Sequence, residues 1–184
     1  MQIDSIIAFW TASLLALVVS PATPRRIPQN DSQLPSPPAH TSCTFADGKT
    51  VKVDYSSPRM RGRKIFGGLV PYGEVWRAGA NEATTFIASK GLIVHGKELP
   101  AGSYTIFTLP NLDRWTLIIS KKTGEWGIPY PGEGFDVARL DMQVVKLPSP
   151  VENFTIAFDQ AVERCTMHMD WERTRASVEI SEKR

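Results

Sequence analysis

Residues 43–56 read CTFADGKTVKVDYS, and this stretch decides the fold class. Asp47 and Gly48 form a dipeptide typical of the tight turn of a β-hairpin, because both central residues of that turn need a positive φ. After the turn, Val51, Val53 and Tyr55 alternate with polar neighbours, as in a strand with one buried face. The stretch therefore predicts two antiparallel strands joined by a tight turn.

The same alternation recurs along the rest of the chain, with turn residues at intervals of roughly eight to twelve positions. No segment has the apolar period of a long amphipathic helix. We therefore predict an all-β protein, an antiparallel β-sandwich with two long loops, and keep a jelly-roll-like arrangement or an open barrel as alternatives. The further strands are predicted at 84–89, 92–95, 103–109, 114–120, 140–147, 154–158, 165–171 and 176–180.

Two cysteines, Cys43 and Cys165, lie near opposite ends of the predicted domain. Cys165 alternates with Met167, Met169 and Trp171 on one strand face, which we assign to the core. Exported proteins enter an oxidising compartment where cysteines pair. We predict a disulfide between the first and the penultimate strand, with two buried free thiols as the alternative.

The N-terminal part of the chain indicates export. Residues 6–19 form an uncharged apolar run of the length of a signal-peptide core, and Ala22 suits cleavage. We expect a signal peptide at 1–22, a disordered proline-rich linker at 23–40 and one β domain at 41–182. The protein is then secreted or periplasmic and has no membrane span after cleavage; retention of the run as an N-terminal anchor stays open.

The net charge argues against a nucleic-acid partner, and the histidine spacing argues against a metal site. The formal net charge of +2 is too small to indicate a nucleic-acid partner. The three histidines, His40, His95 and His168, lack the spacing of metal ligands, and we expect His168 to face solvent from a strand. We predict no metal, no cofactor and no catalytic residue, and the oligomeric state stays open.

Two long irregular segments, 57–83 and 124–135, interrupt the strands. Segments this long in a compact domain either have a function or pack as a unit. Their motifs are GRKIFGGLVPYGEVWRAGANEATTF (62–86), LPAGSYTIFTLP (99–110), WTLIISK (115–121) and the pair Trp126-Gly127. In these motifs the chain resembles the bacterial domain-of-unknown-function family numbered 2911. The resemblance implies exported bacterial proteins with a β-rich domain, and it brings no established activity or catalytic residue.

A ligand-binding site is predicted where the two segments supply aromatic and polar side chains together. Aromatic rings offer a flat platform, and a few convergent polar groups fix a ligand's orientation. The competing interpretation is that Trp76 fills the core and that Arg77 pairs with Glu82 or Asp141. The predicted site comprises Tyr72, Glu74, Trp76, Arg77, Asn81, Glu82 and Trp126.

A basic stretch precedes this site. Arg59, Arg61, Arg63 and Lys64 surround a glycine and could contact phosphate, an acidic glycan or a lipid headgroup. The alternative is an ordinary solvated surface, as for most exposed charges.

Three functions remain open. We favour an exported ligand-binding domain that recognises a glycan or a small cell-envelope molecule. The first alternative is a carboxylate-dependent glycoside hydrolase with Glu74 and Glu82 as its acid and base. The second is a structural or interaction module of the cell envelope. An open cavity at the predicted site would favour binding or catalysis, whereas a packed interior would leave a scaffold.

Overall fold

The computed structural model describes residues 35–161 and 163–183, and the predicted all-β class is confirmed. Apart from one 3₁₀ turn at Glu133–Phe135, the regular structure of these residues is antiparallel β-sheet. The strands are β1 (Pro38–Thr44), β2 (Thr50–Ser56), β3 (Thr85–Ala88), β4 (Leu92–Val94), β5 (Lys97–Leu99), β6 (Gly102–Pro110), β7 (Trp115–Ser120), β8 (Asp136–Gln160) and β9 (Arg164–Glu182).

The nine strands form one sheet in the order β1-β2-β3-β6-β7-β8-β9-β4-β5, which does not close into a barrel. In a flat sheet β1 and β9, six places apart, would be separated by roughly 29 Å. Yet Cys43 of β1 and Cys165 of β9 form a disulfide with a Cα–Cα distance of 6.3 Å. The sheet therefore curls so that its two ends face each other across the core, and the predicted disulfide is confirmed.

The hairpin predicted from residues 43–56 is present as β1 and β2. Cys43 pairs with Val51, and the backbone N–H of Phe45 donates to the Lys49 carbonyl across the turn. Gly48 has a positive φ of 79°, but Asp47 does not, so the loop spans the three residues 46–48 and is not the two-residue turn predicted. Val51 and Val53 are fully buried, so the alternation in the sequence marks the inner face of the curled sheet.

Two predicted strands, 140–147 and 154–158, are one strand in the structure. β8 stays extended through Pro148 and Pro150, and its pairing with β9 shifts between Lys146 and Thr155. Proline has no N–H to donate to a ladder, but its fixed φ is compatible with extended backbone. The prolines therefore interrupt the register without ending the strand.

The strands predicted at 165–171 and 176–180 are also continuous, as β9. Glu172 has a φ of 53° and marks a bulge, after which the buried face changes parity. Trp171 is buried before the bulge and Ala176 after it, so odd positions face the core first and even positions later. The disulfide consequently joins the first strand to the last one, not to the penultimate strand.

The boundaries of the domain differ slightly from those expected. β1 begins at Pro38, so residues 38–40 of the expected linker belong to the sheet. The short strand β5 was not predicted, because three residues are too few to show an alternation. The expected signal peptide and the linker as far as residue 34 lie outside the described residues. Within 35–161 and 163–183, no helix has the length and apolarity needed to cross a membrane.

Candidate functional site

The first long segment is partly an extension of the sheet. The N–H of Trp76 donates to the Thr108 carbonyl at 2.7 Å, and the N–H of Thr108 donates back at 2.8 Å. The next link is from the N–H of Ile106 to the Thr84 carbonyl, 2.9 Å. Residues 77–83 therefore stand opposite Phe107 alone, and they leave the ladder as a loop that we call the 77–83 excursion.

Buried groups hold the 77–83 excursion in place. Ala78 is fully buried at a φ of 52°, and the Thr84 hydroxyl donates to its carbonyl at 2.8 Å. Asn81 has a φ of 56°, which asparagine tolerates better than most residues. Its Nδ2 donates to the Ser36 carbonyl and to Ser56 Oγ, at 3.2 and 3.1 Å. The side-chain amide donor of Asn81 is thus used by the fold itself.

The second long segment packs directly on this excursion. A Cβ placed on Gly127 would lie 2.8 Å from Ala83 Cβ and 3.1 Å from Arg77 Cβ, so only glycine fits there. The N–H of Ala83 donates to the Glu125 carbonyl at 3.2 Å. Tyr130 meets the buried Phe107 ring edge-on at 5.2 Å. The two segments therefore form one packed unit on the outer side of β6.

Tyr130 is held by a polar network as well as by packing. Its hydroxyl donates to Asp136 Oδ2 at 2.6 Å, and Arg139 donates to the same carboxylate oxygen at 2.8 Å. Burial, together with the bond to Asp136, raises the pKa of the Tyr130 phenol. Tyr130 therefore fixes the second long segment to Phe107 of β6 through its ring and to Asp136 of β8 through its hydroxyl.

At the surface of this unit lies an exposed tryptophan next to a guanidinium group. The Cζ of Arg77 is 5.4 Å from the centre of the Trp126 ring, and its Nη1 donates to the Trp126 carbonyl at 3.2 Å. The Trp126 side chain is nonetheless 54% exposed, and the nearby Ile128 is 63% exposed. Burial lowers the pKa of Arg77, and the negative charge of Glu82 acts in the opposite direction.

Trp76 belongs to the core rather than to this surface. Its ring stacks on Trp171 at 5.7 Å and meets Phe154 edge-on at 4.9 Å. Arg77 does not pair with Asp141, which forms an ion pair with Arg114 at 3.5 Å. The interpretation of Trp76 as a core residue therefore has the better support.

Tyr72 and Glu74 lie on a separate turn. Gly73, between them, donates its N–H to the Pro110 carbonyl at 2.9 Å, and the Tyr72 ring lies over Gly67. In the described part of the chain, no hydrogen bond, ion pair or ring contact joins either residue to Trp126. Of the predicted set, the structure brings Arg77 and Trp126 into contact, and the charge of Glu82 acts on Arg77 without an ion pair between them. No hydrogen bond or ion pair joins Glu74 to Glu82 among the described residues, and the hydrolase alternative stays a prediction.

Sequence reasoning missed Gly127, Ile128 and Phe107 as parts of this surface. Tyr104–Thr108 is buried at every position, which is the pattern of a strand covered on both faces. The adjacent apolar residues Ile106 and Phe107, which face opposite sides of a strand, were the available signal that something packs outside β6. Nothing in the sequence indicates that the covering element is residues 124–130.

A second polar cluster lies at the bend of β9, where we expected exposed residues. His168 is buried, and its Nδ1 donates to Asp170 Oδ1 at 3.1 Å. Arg175, beyond the bulge, donates from Nε and Nη2 to the same carboxylate, at 2.8 and 2.7 Å. Burial by itself raises the pKa of Asp170, but the bonds from His168 and Arg175 outweigh it and hold that pKa below its usual value. The expectation that His168 faces solvent is wrong, because its ring is buried with Asp170 on Nδ1 and Asp159 3.7 Å from Nε2.

Three grooves in the described part of the chain lie elsewhere on the surface. One of about 740 Å³ lies between Arg164 and Ser181, one of about 500 Å³ next to His95 and Ser177, and one of about 360 Å³ next to Leu112. None of these three grooves is lined by Trp126 or Arg77. Among the described residues, no group of three histidine, cysteine or acidic side chains is arranged to hold a metal ion.

These features define a disulfide-linked all-β domain with an exposed tryptophan beside an arginine, and none of the three grooves above lies at that surface. The chain belongs to the family described as "Protein of unknown function (DUF2911)", whose model matches residues 36–180. No curated protein and no solved structure matches the chain.

Proposed function

We propose that the protein is an exported domain that binds a glycan, or another small molecule of the cell envelope, on the surface formed by Trp126, Arg77 and Glu82. The observation that carries this proposal is the Trp126 ring itself, which is oriented by Arg77 and still more than half exposed. Tryptophan is highly buried on average, and a ring that is oriented by a neighbour yet exposed offers a flat apolar face with a polar edge to a ligand.

The chemistry of the surface suits a sugar. The C–H face of a pyranose ring is apolar and stacks on an indole, while its hydroxyl groups need donors and acceptors at the edge of the ring. The remaining N–H groups of Arg77 and the carboxylate of Glu82 supply both kinds of group. Because the two loops are packed on Phe107, little conformational entropy is lost when a ligand binds.

Export is part of the same proposal. The disulfide between Cys43 and Cys165 requires an oxidising compartment to form and persist. The apolar run at 6–19 supplies a route to such a compartment. A cell-envelope ligand is then accessible to the folded domain.

The test is a screen of the purified protein against envelope glycans, followed by titration of the best ligand. Trp126→Ala is expected to weaken binding roughly tenfold, and Trp126→Phe less, because the phenyl ring retains part of the platform. Leu112→Ala is the matched control, since Leu112 is 74% exposed and lies on another surface. Equal affinity of Trp126→Ala and the unmodified protein for every ligand found would disprove the assignment of this surface.

A further inference from the structure

Residues 59–72 close one end of the curled sheet, and we call them the cap loop. Ile65, Phe66 and Val70 are buried, and the Phe66 ring lies 4.7 Å from that of Trp115. Backbone bonds tie the loop together, from the N–H of Gly67 to the Val70 carbonyl and from the N–H of Val70 to the Ile65 carbonyl, at 2.9 and 3.0 Å. The outer side chains of the cap loop are therefore presented on a fixed support.

The outer side of the cap loop is basic. Arg61, Arg63 and Lys64 are exposed, and none of the three forms an ion pair with another described residue. The Arg63 guanidinium donates only to backbone carbonyls, those of Met60 and Arg59, at 3.0 and 2.7 Å.

Two carboxylates lie at the base of the cap loop. Glu152 accepts the backbone N–H of Arg61 at 2.9 Å, and Glu172 accepts that of Phe66 at 3.4 Å. Both carboxylates offset part of the positive charge, but they accept backbone N–H groups. Among the described residues, no carboxylate forms an ion pair with the side chains of Arg61, Arg63 or Lys64.

Large apolar side chains lie next to these cations. Leu69 is 47% exposed and Tyr72 is 39% exposed. The N–H of Leu69 donates to the Lys64 carbonyl at 3.1 Å. A Cβ on Gly67 would lie 2.8 Å from the Tyr72 ring and 3.6 Å from Lys64 Nζ. The ring and the ammonium group therefore both lie close to Gly67. Charge and apolar surface are thus contiguous.

We propose that the cap loop docks on an anionic phospholipid membrane surface. A soluble phosphate would engage the cations but leave Leu69 in water, and a neutral apolar partner would leave the cations without counter-charges. A bilayer interface satisfies both, because cations reach the headgroups while Leu69 and Tyr72 enter the boundary with the acyl chains. This surface is separate from the one formed by Trp126 and goes beyond the proposed function.

The course of the chain is compatible with this placement. The N–H of Ser57 donates to the Pro37 carbonyl at 2.9 Å, so the described chain begins next to the start of the cap loop. Residues 20–34 connect it to the apolar run at 6–19 and span at most about 50 Å when extended. If that run is kept as an anchor, the cap loop can reach the same bilayer.

The test is co-sedimentation of the full chain with vesicles, one set of phosphatidylcholine alone and one of phosphatidylcholine mixed with phosphatidylglycerol. The measured quantity is the ratio of the two partition coefficients, which removes any contribution of the apolar run that is independent of lipid charge. The triple variant R61Q/R63Q/K64Q is expected to lower this ratio by up to about a hundredfold at low ionic strength. Binding to neutral vesicles should not change.

Two matched controls make the result specific. K97Q/K121Q/K146Q removes three exposed lysines elsewhere and should keep the preference for anionic vesicles. Leu69→Ser should weaken binding to anionic vesicles, whereas Leu112→Ser, at a more exposed leucine, should not. An unchanged ratio in R61Q/R63Q/K64Q would overturn the proposal. So would full competition by soluble glycerol phosphate with no effect of Leu69→Ser, which would indicate a phosphate site.

Discussion

The hydroxyl of Tyr55 accepts a hydrogen bond from the N–H of Ile156 at 3.1 Å and also lies 3.4 Å from the Ile156 carbonyl, to which it can donate. Tyr55 is on β2 and Ile156 is on β8, four places away in the sheet. The Tyr55 hydroxyl thus bonds the backbone groups of Ile156 that a neighbouring strand would otherwise bond, at the place where β2 and β8 approach each other in the curled sheet. Burial raises the pKa of Tyr55 further above its ordinary value of 10.0, so the hydroxyl remains available as both donor and acceptor.

Tyr55→Phe should destabilise the protein by about 1 to 2 kcal/mol, because the backbone N–H of the buried Ile156 loses its partner. Denaturant unfolding at pH 7 measures the change. Tyr72→Phe is the control, as its exposed hydroxyl has no hydrogen-bond partner among the described residues, and it should change the free energy of unfolding by less than about 0.5 kcal/mol. Equal effects of the two substitutions would contradict the role given to Tyr55.

Removing the disulfide should lower the free energy of unfolding by about 2 to 5 kcal/mol, because Cys43 and Cys165 close a loop with a sequence separation of 122. The double variant Cys43→Ala, Cys165→Ala is compared with the unmodified protein under oxidising and reducing conditions. Reductant should destabilise only the unmodified protein. If reductant leaves both unaffected, the disulfide does not stabilise the fold.

Truncation should destabilise the fold far more at Trp76 than at Trp126. Trp76→Ala removes a ring packed on Trp171 and Phe154 and should destabilise the fold by about 3 to 5 kcal/mol. Trp126→Ala removes an exposed ring and should change stability by less than about 1 kcal/mol. Thermal unfolding of both variants measures this difference. A larger loss for Trp126→Ala would mean that its ring is structural.

Gly127 should be far less tolerant of alanine than Gly124. Both have a positive φ, 78° and 72°, so each substitution costs about 1 kcal/mol in backbone strain. Only at Gly127 would the new methyl group also collide with Ala83 and Arg77, whereas at Gly124 it meets open space. Gly127→Ala should therefore lose more stability in denaturant unfolding and also weaken ligand binding at Trp126. Similar losses for the two variants would show that the packing of the loop is unimportant.

Asp170 should make stability depend on pH in the acid range. Its pKa is lower in the folded chain than the ordinary value of 3.8, so its ionised form contributes stability above that value. The contribution disappears as the pH falls through the lowered pKa. Asp170→Asn should cost about 1 to 3 kcal/mol at pH 7, because His168 and Arg175 lose their carboxylate, and the difference should shrink in strong acid.

Unfolding of Asp170→Asn across pH 2 to 7 gives the measurement, with Asp113→Asn, at an exposed turn residue, as its control. A difference between Asp170→Asn and the unmodified protein that stays constant down to the lowest pH would mean that ionisation of Asp170 is not the cause.

Much of the strand pattern could be predicted because burial follows the alternation of residues such as Val51 and Val53. The errors arose where that alternation changes. At Glu172 a single residue with positive φ reverses the buried face of β9. In the sequence, the two halves of this one strand therefore look like two separate strands. At Pro148 and Pro150 a residue type that usually ends a strand is accommodated by a shift in register.

The candidate site was predictable only in part. Arg77, Glu82 and Trp126 could be named because charged and aromatic residues in long glycine-rich loops are unusual. The sequence could not separate Trp76 from Trp126, since both are tryptophans in such loops. Their different roles depend on whether the backbone is paired with β6, as at Trp76, or lies outside it, as at Trp126.

The amino-acid sequence by itself determined most of the strand positions, the first hairpin and which two cysteines could pair, because alternation and turn chemistry act between near neighbours and only one cysteine pair exists. Tertiary structure alone decided which loops meet, which tryptophan is exposed and which cations lack partners. Those properties depend on how the sheet curls and on which distant segments then come into contact, and short-range patterns carry no information about either.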